Sequence, residues 1–145
     1  MTYSLPQGAR RPRSAQAYAT IGLETQVLSA SPEHLITLLF NGAQAAIAKA
    51  RLYMQNGNIQ GRGTAISKAI DIVDSGLKAS VDREAGGELA TNLTATYELI
   101  IRNLLLANLN ADLEKLDLAN RLLTEIGDAW RISVDPSRSE HAPSQ

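Results

Sequence analysis

Apolar residues recur every three or four positions through four long stretches of the chain, and no stretch alternates with period two. Leu35, Leu39, Ala43, Ala46, Ala50 and Tyr53 form the first stripe, with Thr37, Asn41, Gln44, Ala48, Arg51 and Gln55 opposite as a wet face. Ile59, Ile66, Ile70, Val73 and Leu77 form the second. Leu89, Leu93, Tyr97, Ile100, Leu104 and Ala107 form the third, and Leu116, Ala119, Leu123, Ile126 and Trp130 the fourth. Each stripe has its own punctuation. Ser31 can cap a helix that begins with Pro32 and Glu33 and stops before Gly57. Asn58 can cap a second helix running to about position 81. Residues 83–87 read as a turn ended by Gly86-Gly87, and a third helix follows to about Leu109. Asp112 can cap a fourth, which fades near Val134. Short connections make neighbours antiparallel. The predicted fold is all-α: an elongated up-down four-helix bundle over residues 24–134, with a flexible N-terminal arm (1–23) and a disordered tail (135–145) rich in Pro, Ser and charge.

The apolar positions exceed what one buried stripe of about 100° requires. Leu38, Ala45 and Leu52 stand one heptad apart beside the first stripe. Ala65, Ala69, Ile72 and Gly76 flank the second, and Leu118, Leu122 and Ala129 the fourth. On the third helix Ala95, Leu99 and Leu106 widen one flank, while Leu105 and Leu109 fall on the back. Packing between neighbouring helices absorbs much of this surplus. The remainder predicts an exposed apolar patch suited to another amphipathic helix. The expected partner contacts are Leu99, Leu105, Leu106, Leu109, Leu118, Leu122 and Ile72.

Composition narrows the function by exclusion. The chain has 145 residues, 44% hydrophobic but only 4% aromatic, with 21 Ala and 20 Leu. The absence of Cys removes disulfides, thiolate metal sites and cysteine nucleophiles. A formal charge of −1 gives no field for nucleic acid or an acidic membrane. No apolar run approaches the roughly 18 residues of a membrane span. The N-terminal residues have bases (Arg10, Arg11, Arg13) but no apolar segment after them, so the expected location is the cytoplasm. His34 falls in a first helical turn and reads as solvated, and no Glu-x-x-His pair exists for a metal bundle. Gly61-Arg62-Gly63 lacks the strand and the Gly-Lys-Ser/Thr of a phosphate loop and reads as a loosened helical turn. No nucleophile stands beside a base. The reading is a binding protein without a cofactor, not an enzyme.

Four ordered segments carry a family likeness: VLSASPEHLITLLFNGA (27–43), GTAISKAIDIVDSGLKASVDREAGGELATNL (63–93), YELIIRNLLLANLNAD (97–112) and, more weakly, LLTEIGDAW (122–130). With these the chain resembles the FliS family of flagellar secretion chaperones over roughly residues 18–131. The resemblance implies an elongated helical bundle that binds the C-terminal segment of flagellin, blocks premature filament assembly and helps delivery to the export gate. It also implies a role for Tyr18, which stands where the family's arm carries a tyrosine packing near the cargo groove. Alternatives are a homo-oligomeric bundle, or a regulatory adaptor that captures an anti-sigma factor or another export protein.

Overall fold

The computed structural model describes residues 31–135, which form four helices and no strand. The arm, the tail beyond Asp135 and Tyr18 lie outside the described residues. Helix α1 spans Pro32–Gln55, α2 Ile59–Asp71, α3 Arg83–Asn110 and α4 Leu113–Val134. Their N-termini are closed by side chains, since the first free backbone amides of a helix need acceptors. Ser31 accepts from the His34 amide, Asn58 from Gly61, Asp82 from Ala85, and Asp112 from Glu114 and Lys115. The caps read from the sequence at positions 31, 58 and 112 are in place.

The helices pack in the cyclic order α1–α2–α3–α4–α1, as short turns between antiparallel neighbours require. Leu39, Phe40, Ile66, Ile72, Ile100, Leu104, Leu116 and Leu123 fill the centre with at most 1% of their surface exposed. Each such side chain stabilises the fold by about 1.5–3 kcal/mol relative to exposure. Alanines at 43, 46, 50, 65 and 69 are also buried, so α1 and α2 approach closely. Gly61 belongs to this contact: a Cβ there would lie 2.7 Å from the Tyr53 ring. The Gly-Arg-Gly segment is therefore a regular turn of α2 pressed against α1, not a loosened one. Arg62 is fixed by α3, donating to the side chain (3.1 Å) and carbonyl (3.0 Å) of Asn108.

Three details depart from the simple pattern. After α2 the chain widens into a π-helical segment, Ile72–Leu77, then tightens into a 3₁₀ turn, Lys78–Ser80. Helix α3 starts at Arg83, before the expected glycine pair, and breaks at Gly87, whose φ of 57° and ψ of −129° suit only glycine. Ile59 and Leu89 were expected in buried stripes, yet they are 69% and 75% exposed. Both sit in the opening turns of their helices, where less of the neighbouring helix remains to cover them.

The wet face expected on α1 is only half wet: Asn41, Ala48 and Gln55 are exposed, and the other three positions are not. Thr37, Gln44 and Arg51 are half-buried against α4. The Trp130 indole donates to Thr37 Oγ1 (3.0 Å), Gln44 donates to Thr124 (3.3 Å), and Arg51 pairs with Asp117. Arg131 donates to Asn41 (2.7 Å) and Gln44 (2.9 Å). In a four-membered ring each helix has two neighbours, and α1 meets its second neighbour through polar side chains.

Candidate partner-binding site

The bonds between helices fix which way each helical face points. On α4, Asp117 and Thr124 mark the flank towards α1. Leu118 and Leu122 lie about 100° or more round the helix from both, on the flank towards α3. On α3, Asn108 and Glu98 mark the flank towards α2, through Arg62 and Lys78. Leu99 and Leu106 lie about 80° or more from both, on the flank towards α4. Counted from the turn at Ala111-Asp112, Leu106 stands nearly level with Leu118, and Leu99 with Leu122. These four leucines therefore gather along the outer seam of the α3–α4 hairpin. Leu99 is 47% exposed, and the other three are half-buried.

The other expected contacts part company with this seam. Leu105 and Leu109 are 56% and 77% exposed, but they lie within about 20° of Glu98, on the back of α3 turned towards α2. Ile72 is buried in the core, where it also lines the inner wall of a groove between α1 and α2, away from the seam. It continues the flank of Ala65 and Ala69, which are buried as well.

A second apolar depression went unseen in the sequence. At the end of the bundle where α1 and α3 begin and α4 ends, a cavity of about 460 Å³ is lined by Ile36, Phe40, Val81, Leu93, Tyr97 and Trp130, among others. Leu93, Tyr97 and Trp130 read as ordinary core positions. Among the described residues the opening lies where α2 gives way to a 3₁₀ turn and α3 breaks at Gly87. Burial pushes the Tyr97 phenol well above the usual tyrosine range. Among the described residues no group of three or more His, Asp or Glu could hold a metal ion, and His34 is exposed. No helix among them is long and apolar enough to cross a membrane. What the surface offers is apolar contact.

A family profile described as flagellar protein FliS matches residues 14–136. The chain belongs to the FliS family. FliS is a chaperone family, not an enzyme family. Among similar proteins is the flagellar secretion chaperone FliS of Salmonella typhimurium, 46% identical over 124 residues, covering 86% of this chain and 91% of the relative. The Escherichia coli protein of the same name is 44% identical over 122 residues, covering 84% and 90%. Flagellar secretion chaperone FliSB of Pseudomonas aeruginosa is 39% identical over 118 residues, covering 81% and 93%. The all-helical bundle and the absence of an enzyme reading accord with this membership.

Proposed function

We propose that this chain is a cytoplasmic export chaperone that holds the C-terminal segment of flagellin, prevents its premature polymerisation and assists its delivery to the export gate. The relatives are flagellar secretion chaperones, which supports chaperone work in secretion, and the leucine seam of α3–α4 supports the manner of it. A row of Leu99, Leu106, Leu118 and Leu122 beside a closed core offers a place for an amphipathic helix to lay its apolar face. A flagellin end that is unstructured alone would spend part of the interaction on ordering, so binding remains reversible even over a long interface. Tyr18 and the anti-sigma factor enter as further proposed contacts of the same system.

Co-purification with a flagellin C-terminal peptide tests this reading, with circular dichroism reporting helix gain on mixing. Leu106→Asp should weaken the complex at least tenfold, about 1.4 kcal/mol, while the free bundle keeps its helicity. Normal binding by that variant would move the site away from the seam. Failure of the wild-type chain to form any complex would remove the flagellin assignment. Light scattering on the free chain shows whether the seam instead joins two copies.

A further inference from the structure

Across the bundle from the leucine seam, α1 and α2 leave between them a groove of about 590 Å³. Small residues, Gly42, Ala45, Ala46 and Ala65, make up much of its wall beside the Tyr53 ring, so an incoming backbone can approach closely along them. Along its α1 edge Leu38 is half-buried and Leu52 is 59% exposed, one heptad either side of Ala45. From Leu38 to Leu52 is four turns, about 21 Å.

Charge distinguishes this groove from the rest of the surface. From His34 to Ile70 there is no Asp or Glu, while Lys49, Arg51, Arg62 and Lys68 are all basic. Two of the four are occupied: Arg51 by Asp117 and Arg62 by Asn108. The other two, Lys49 and Lys68, line the groove and are exposed, with no carboxylate partner among the described residues. Since α1 and α2 already satisfy their own backbone groups, a segment laid in the groove has to satisfy its own too, which a helix does.

We propose that the α1–α2 groove docks an acidic amphipathic helix of a partner protein, with Lys49 and Lys68 engaging carboxylates on its two flanks. The apolar face of that helix lies on Leu38, Ala45 and Leu52. The site is separate from the leucine seam and does not depend on the flagellin reading. Because the two grooves are on opposite faces, both can be filled at once. Paired charges at the rim steer encounter and set which helix is accepted, so binding weakens as salt rises.

The probe is a peptide of about 18 residues with alanine and leucine on one helical face and glutamate along both edges, and a twin with lysine in place of glutamate. Each is titrated into the isotope-labelled full chain while backbone amide shifts are followed by NMR. The glutamate peptide should shift Gly42, Ala45, Gly61 and Thr64, and the lysine peptide should not. The Lys49→Glu, Lys68→Glu double variant should lose at least tenfold for the glutamate peptide and gain binding of the lysine peptide. Circular dichroism verifies that the variant is folded, which the exposure of both lysines leads one to expect. Leu106→Asp should change nothing, and a bound flagellin peptide should leave the titration unaltered. Equal binding of both peptides, shifts centred on Leu99 and Leu106, no response to charge reversal, displacement by flagellin, or no binding would each overturn the proposal. So would self-association of the free chain that the double variant abolishes, since the groove would then serve a second copy.

Discussion

Helix α4 meets its two neighbours in opposite ways. Towards α1 it presents Asp117, Thr124 and Trp130, each bonded to a named partner on α1. Towards α3 it presents Leu118 and Leu122, whose outer surfaces continue into Leu106 and the half-exposed Leu99. The first seam is polar and closed, and the second is apolar and open. An apolar seam excludes water equally well with α3 alone or with a further helix added to it. A polar seam whose donors and acceptors are already matched offers a newcomer little. Polarity thus decides which side of α4 is available, in the reverse of the usual expectation that polar faces meet solvent.

The largest expected effect concerns the core that both seams share. Leu116→Ala, at a fully buried position, should cost about 2–5 kcal/mol in chemical denaturation. A smaller loss would mean that the two seams, rather than the core, hold α4 in place. Next comes the tenfold or greater loss of flagellin binding in Leu106→Asp. Paired with an unfolding midpoint close to wild type, it would establish that the open seam works outward. A large drop in midpoint would make Leu106 a core residue and dissolve the contrast.

The closed seam is examined with Thr37→Val, which removes the acceptor of the Trp130 indole. It should cost about 1 kcal/mol and leave flagellin binding unchanged. A binding defect would mean that cargo also reaches the polar side. The Arg51–Asp117 pair is roughly half exposed, at 43% and 44%, so a double-mutant cycle with Arg51→Met and Asp117→Asn should give a coupling below about 1 kcal/mol. The smallest change belongs to the turn of the α3–α4 hairpin, where Ala111 holds a left-handed φ of 49°. Ala111→Gly relieves this and should raise stability by about 0.5–1 kcal/mol, without altering either seam.

Much of the bundle was legible because caps and periodicity are local. Ser31, Asn58 and Asp112 announce their helices in a few residues each, and the stripes through Leu39, Ile100 and Leu116 follow from 3.6-residue winding. The π segment was not legible, since widening at Ile72–Leu77 depends on how α2 fits its neighbours. The surplus leucines could be counted from the sequence but not sorted. Leu105 and Leu106 are consecutive, yet they face opposite neighbours, and only the bonds of Glu98 and Asn108 reveal which is which. The wet reading of Thr37, Gln44 and Arg51 failed because a helical wheel shows polarity and cannot show a matching donor or acceptor on a helix some 80 residues away.

The rungs between α1 and α4 have one more consequence. Leucine packed on leucine tolerates sliding, because a one-turn slip of about 5.4 Å replaces one methyl contact with another. Hydrogen bonds between particular atoms do not. With Thr37–Trp130 near one end and Arg51–Asp117 towards the other, a slip would break the whole row together. The polar seam therefore acts as a key that fixes axial alignment, so side chains of the apolar seam can repack without the bundle itself shearing.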